Sequence, residues 1–332
     1  VSQTGIRQAG RTLIELMIAL AIGLFITGTA IGLVLSNRQT YDSTEGLSRV
    51  QEAARTGFEL LARDIREAGL NSCGGALQFV NVLNSPESLW WTEWNGGVRG
   101  YAGSDAFAGA PFGSASGQRV AGTAALHIMR SGSQPQTVSA HDTATQTITF
   151  SPANRALATG DLAIVCNFSQ ASLFQVSAAT STTIEHANEG TPGNCSRGLG
   201  FANPPDCSAS GQTYRYEANA VAMKLESLAW YVGNNGRTTT ASMSLYRVAP
   251  QNNAGTLSLV AEEVIDGVVD LQIDYLPEGA TAYVAAGSVT DWNAVVGVRL
   301  RLIIDEPDRP ASAADRVRRT MTHVVTLRNR MT

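Results

Sequence analysis

A single carboxylate stands inside the longest apolar run of the chain. Residues 13–35 read LIELMIALAIGLFITGTAIGLVL, and their only charge is Glu15. A charge within a bilayer-length segment costs roughly 2.5–3.5 kcal/mol on insertion scales, so it needs a cationic partner and a function. A basic stretch ending in glycine, VSQTGIRQAG, precedes the run and closes at Gly10. A new α-amino group on a neighbouring copy of such a segment would be a suitable partner for Glu15. The alternative is that Glu15 sits at the interface and reaches into water along its own stem.

The remaining reactive side chains form no catalytic constellation. The histidines are His127, His141, His186 and His323. None has zinc-ligand spacing to a cysteine or a second histidine, and HExxH, GxSxG and P-loop patterns do not occur. Asp266, Asp270 and Asp274 recur every four residues in a stretch that reads as strand. They are expected on a turn and a solvated face rather than around calcium. Arg316, Arg318, Arg319, Arg328 and Arg330 make the C-terminal region basic. Solvated strand and loop charges are the expectation there, and direct contact with nucleic acid is not. An enzyme, a metal site and a bound cofactor are therefore not expected.

The four cysteines, Cys73, Cys166, Cys195 and Cys207, form no CxxC pair. An even count on an exported body reads as disulfides, with three connectivities open. The short Gly/Pro-rich loop between Cys195 and Cys207 favours that pair, leaving Cys73 with Cys166. Four unpaired thiols is the alternative.

These residues need elements to hold them. The apolar run is long enough to cross a bilayer core of about 30 Å as a helix. A signal peptide would have a shorter apolar region, of about 7–15 residues, followed by a small-residue cleavage site. Arg7 and Arg11 lie before the span, and Asp42 and Glu45 follow Arg38 after it. That bias orients the N-terminus to the cytoplasm and the body outside. Gly28 and Gly32 fit the GxxxG spacing that lets two membrane helices approach closely, although glycine is also simply common in such helices. From Leu47 a second apolar stripe continues through Val50, Ala54, Phe58, Leu61, Ile65 and Ala68, one helical face, with Gly69 as its stop. Arg55/Glu59, Glu59/Arg63 and Arg63/Glu67 are i,i+4 pairs on the other face. A continuous helix over 12–68 would be about 85 Å long, with Gly46 or residues 37–43 as points where it could kink.

Behind the helix, Trp90, Trp91 and Trp94 cluster in a Gly-rich stretch and are expected to pack under a long loop rather than form an exposed patch. Strand-like runs follow at 125–130, 145–150, 162–167, 173–178, 182–186, 220–232, 242–248, 257–261, 268–275, 295–304 and 321–327. Turn signals separate them at Gly160-Asp161, Asn234-Asn-Gly236 and Pro277-Glu-Gly279. The chain has 332 residues, a formal charge of −4 and only 16% charged residues. That charge is too small to mark a nucleic-acid binder by bulk electrostatics, and the length leaves enough chain after the helix for a sizeable core. The expected fold is α+β: a long N-terminal helix packed on an antiparallel β body with loop insertions.

Gly10 followed by Arg-Thr-Leu-Ile-Glu-Leu-Met-Ile-Ala-Leu resembles the leader of type IV pilins and type II secretion pseudopilins. The segment 61–75, LARDIREAGLNSCGG, resembles the PilW family of minor type IV pilins in particular. So do EVIDGVVDLQIDY at 263–275, Trp292 with VVGVRLRL at 295–302, and TLRNR at 326–330. The resemblance implies a pilin-like fold with a leader over 1–10, a membrane and assembly half-helix over 11–36, an amphipathic half over 37–70 and an extracytoplasmic body over 71–332. It implies cleavage by a prepilin peptidase between Gly10 and Arg11, with methylation of the new N-terminus. The family usually has Phe at that first position, where this chain has Arg11. By the same resemblance Glu15 sets subunit register. The protein would start in the inner membrane, body in the periplasm, and move to the pilus fibre or its tip. Its partners would be other minor pilins, the major pilin and the inner-membrane assembly machinery, with twitching motility and adhesion as the processes served. A type II secretion pseudopilin of the same architecture is one alternative, and a signal-anchored extracytoplasmic enzyme or binding protein is another.

Overall fold

The computed structural model describes residues 12–70, 78–237, 242–305 and 318–330. Helix α1 (Leu13–Arg66) has 54 residues and runs through Gly46 and residues 37–43 without a break. It ends where Gly69 takes the left-handed conformation at φ 70°, the backbone that glycine adopts without steric cost. The chain divides into two compact units, the first ending at Gln51 and the second starting at Glu52.

In the first unit the apolar run over 13–35 is exposed throughout. Its most hydrophobic window has a mean hydropathy of 2.4 with 0% of its residues buried, and by length and composition it can cross a membrane. Leu13 is 78% exposed and Phe25 74%.

In the second unit the helix becomes amphipathic and packs on the sheet. Ala54, Leu61, Ala62, Ile65 and Ala68 are all buried, following the 3–4 spacing of the sequence stripe. Gly57 lies closest to the strands: a Cβ there would sit 3.0 Å from Ile265 Cδ1 and 3.4 Å from Leu302 Cδ1. Phe58 packs against the His323 ring, centroids 5.4 Å apart.

The body is two sheets. The larger contains β1 (Gln78–Asn81), β2 (Val98–Tyr101), β3 (Ala125–Ser131), β4 (Gln136–Asp142), β5 (Thr147–Phe150) and β6 (Leu162–Cys166). It continues with β7 (Gln170–Gln175), β8 (Ala178–Ala179), β9 (Thr183–Glu185), β10 (Val221–Asn234), β11 (Met243–Asn253) and β12 (Thr256–Asp266). The smaller sheet has the order β14–β13–β15–β16, with β13 (Val268–Pro277), β14 (Val284–Ala285), β15 (Val295–Asp305) and β16 (Arg318–Thr326). Strand β10 is the spine, pairing with β3, β4, β6 and β11. Each long strand-like run of the sequence lies on one of these strands, although β7 begins three residues earlier than its run. Pairing is antiparallel except between β1 and β7, which are parallel. The two sheets meet at Gly267, whose N–H donates to Met243 O while its carbonyl accepts from Asp305 N–H. A positive φ of 74° lets this residue turn its two polar groups to different strands.

Two apolar clusters fill the larger sheet. One gathers Trp90, Trp91, Phe107, Met129, Leu173, Met223 and Tyr231. The other gathers Val138, Ile148, Phe150, Val165, Phe174, Ile184 and Tyr216. The Trp90-Trp91 pair is thus core, and Trp94 stacks on Phe79 at 5.6 Å.

Candidate assembly site

The front of α1 is built by a reciprocal pair of hydrogen bonds. Thr12 N–H donates to Glu15 Oε2 at 3.2 Å, and Glu15 N–H donates to Thr12 Oγ1 at 3.4 Å. This is a capping box, the T-x-x-E pattern that satisfies the orphan donors of a helix start. The carboxylate also lies at the positive end of the helix dipole. Among the described residues its side-chain contacts fall on Oε2, from Thr12. Gly10 and Arg11 lie outside the described residues. Further along, a Cβ built on Gly28 or Gly32 would meet nothing within 4 Å, so this face of the helix is open.

A buried ionic hub ties the amphipathic half of α1 to the body. Arg130 on β3 donates to Asp64 Oδ1 at 2.9 Å, to Glu67 Oε2 at 2.5 Å and, across to β10, to Glu226 Oε2 at 2.8 Å. Trp230 Nε1 donates to the other Asp64 oxygen at 2.9 Å. Burial pulls the Arg130 guanidinium down, but its carboxylate neighbours outweigh that and hold its pKa above the usual value. Of the helix-surface pairs expected from spacing, Arg55–Glu59 forms at 2.9 Å, whereas Glu67 turns to Arg130 instead.

Cys195 and Cys207 are joined, with S–S 2.10 Å and Cα–Cα 5.0 Å. Cys166 is itself disulfide-bonded, and Cys73 lies outside the described residues. Near the first of these bridges, His141 and His186 meet at Nε2–Nε2 3.0 Å beside a cleft of about 220 Å³. Tyr216 N–H donates to His141 Nδ1 at 3.1 Å. In the neutral form His141 therefore carries its proton on Nε2 and gives it to His186 Nε2 as a hydrogen bond. The His141 Nε2 proton and the His186 Nε2 lone pair are thus used within the pair, which suits a structural contact and not a metal ligand. Burial, then Arg215, lowers the His141 pKa to about 4; burial, then His141, lowers that of His186 to about 3. His127 is buried between Trp90 and Phe107 and bonds Ser227 Oγ at 3.0 Å. Burial takes it to about 3 as well.

The other charged groups are structural. Asp274 pairs with Arg299 at 2.7 Å, Asp270 accepts from Gln272 Nε2 at 2.8 Å, and Asp266 is exposed. Among the described residues no group of three or more His, Cys, Asp or Glu could hold a metal ion. Arg318 pairs with buried Asp305 at 2.6 Å. Arg330 reaches back to the Trp292 and Val295 carbonyls at 2.6 and 2.8 Å and to that of Gly96. Arg319 and Arg328 are exposed, and Arg316 lies outside the described residues.

Two features of this geometry were not read from spacing, and only one of them leaves a signal there. The capping box is legible, since Thr12 stands three residues before Glu15. The Asp64–Arg130 hub is not, because its members are 66 residues apart and only the fold joins them.

No curated protein and no solved structure matches this chain. Residues 229–325 match the family model PilW, Type IV Pilus-assembly protein W. The matched stretch starts within β10 and extends into β16, and it includes Ile265 and Leu302, which lie against Gly57 of α1. Over those residues the chain is similar to the PilW family of type IV pilus-assembly proteins.

Proposed function

We propose that this chain is a minor pilin, a non-catalytic subunit that primes type IV pilus assembly with other minor pilins and sits at or near the pilus tip. The observation that carries the reading is the start of α1. An exposed apolar run, long enough to cross a bilayer, begins with one carboxylate whose Oε2 is bound to its own cap and whose Oε1 has no partner among the described residues.

In this reading a prepilin peptidase cuts after Gly10, and Arg11 becomes the first residue. The capping bonds lower the cost of Glu15 in lipid while the subunit waits. On assembly, Oε1 takes the α-amino group of a neighbouring subunit, and that contact fixes axial register. The Cys195–Cys207 bridge supports an oxidising compartment for the body. Gly28 and Gly32 allow close approach of a second helix. The family match favours the pilus over a secretion pseudopilin.

Mass spectrometry of the mature N-terminus tests the processing step. A chain beginning at Arg11 is expected; retention of Gly10 in cells with active prepilin peptidase would overturn it. Glu15→Ala tests the register role. Sharply reduced incorporation into sheared fibres is expected, with membrane insertion retained. Normal incorporation and normal piliation would refute it.

A further inference from the structure

Sheets carry unpaired backbone groups along their edges, and proteins guard these edges by keeping them short, charged or kinked. Four edge strands here, β1, β2, β8 and β14, have 4, 4, 2 and 2 residues. The other two are long: β12 has 11 residues and β16 has 9. Among the described residues each is paired on one side only, β12 with β11 and β16 with β15.

The register says which groups point outward. The β11–β12 hairpin closes on the pair Asn253/Thr256 through Ala254 and Gly255, both at positive φ. A two-residue turn of this kind closes on a hydrogen-bonded pair. The alternate residues Leu257, Leu259 and Ala261 therefore turn their N–H and C=O away from β11. Pro250, which has no N–H to give, stands opposite Leu259, as this assignment requires. On β16, Leu327 N–H donates to Val296 O just beyond the last registered pair, Gly297/Thr326. Counting back, Thr326, Val324, Thr322 and Thr320 face outward.

The two edges are complementary. The first part of β12, TLSLVA, carries no charge, and its acidic end holds Glu262, Glu263 and Asp266. Strand β16 begins with Arg318 and Arg319 and continues uncharged as TMTHVVT, His neutral. Leu259 is 47% exposed and Val324 49%, and these are the exposed large apolar residues of their strands. Both belong to the outward-facing sets. Antiparallel pairing that sets Leu259 opposite Val324 also sets Leu257 opposite Thr326 and Ala261 opposite Thr322. In that one register exposed Arg319 comes level with Val264, at the acidic end of β12.

We infer that the β12 edge of one copy of this chain pairs with the β16 edge of a second copy. The contact uses different surfaces on the two partners, so it is heterologous and can continue from copy to copy into an open helical run. It works by strand addition, with backbone bonds for affinity and the Leu259/Val324 and Arg319/Glu262 contacts for register. This goes beyond the proposed tip and priming role, which needs no contact between copies.

The test uses full-length chains in membranes. One copy carries Leu259→Cys and the other Val324→Cys, co-expressed and oxidised with copper phenanthroline. Opposed hydrogen-bonded residues lie about 5.5 Å apart at Cα, within disulfide reach. A cross-linked dimer several-fold above either variant alone is expected. A mixed sample no higher than the single variants, a dimer formed by Leu259→Cys alone, or cross-links only to other subunits would overturn the pairing. Ala261→Pro removes an outward N–H without touching the β11 ladder, so it should suppress the cross-link with thermal stability unchanged. Should that variant not fold, Arg319→Glu should lower the cross-link and added Glu262→Arg should restore it. A cross-link indifferent to both changes overturns the assigned register.

Discussion

Asp64 and Arg130 have side-chain exposures of 8% and 7%, so neither can be satisfied by water if the other is lost. Replacing one partner of a buried pair strands the other charge and costs about 3–5 kcal/mol. Arg130→Ala should therefore destabilise the body by that order, read as a lowered denaturation midpoint. The pair Asp64→Leu with Arg130→Met should recover much of the loss, since no charge is then left unpaired between them. The three buried histidines predict a pH dependence. Their folded pKa values lie at about 3 to 4, below the ordinary value of 6.5. The unfolded chain thus binds more protons across this window. Stability should be full above pH about 6.5 and fall as the pH drops toward about 4. Melting temperature measured between pH 7 and pH 4.5 checks this, and a shallower fall is expected in His141→Gln/His186→Gln.

At the scale of elements, α1 meets two different tests along its length. Gly57 has Ile265 Cδ1 and Leu302 Cδ1 where a Cβ would go, at 3.0 and 3.4 Å. A large side chain there must push the helix from the sheet. Gly57→Leu should destabilise the body by about 1–3 kcal/mol, the usual cost of overpacking, measured by chemical denaturation. Gly28 and Gly32 have open space instead. Gly28→Leu/Gly32→Leu should leave body stability unchanged. A drop in fibre incorporation would then report a close helix contact between subunits, and unchanged incorporation would remove Gly28 and Gly32 from the assembly role.

For the whole molecule, the contrast lies between an uncovered apolar unit and a compact body with its own core. The helix up to Gln51 buries none of its most apolar window, so that surface needs lipid or other apolar helices. The full chain should remain in the membrane fraction through high-salt and alkaline carbonate washes and be released by detergent. Release by salt alone would mean that the helix is not inserted. The similarity to a type IV pilus-assembly family, over 229–325, lies wholly in the body.

The helix was legible in the sequence over 12–68 because helical pattern is local: apolar residues at 3–4 spacing and a glycine stop. The major strands were legible for the same reason, through alternation and turn residues. Strands β1, β2, β4, β8 and β14 were not, because short or polar strands exist only where a partner supplies their hydrogen bonds. Spacing also offered Glu67 to Arg63, yet Arg130 took it, since a buried guanidinium with several carboxylates outweighs an exposed i,i+4 pair. The sequence by itself determined one charge in a membrane-length helix and the α+β class. Only the tertiary structure decided that His141 meets His186, that Asp64 meets Arg130, and that β12 and β16 are edges among the described residues. Those outcomes depend on strand order and register, which bring together residues far apart in the chain and leave no periodic trace along it.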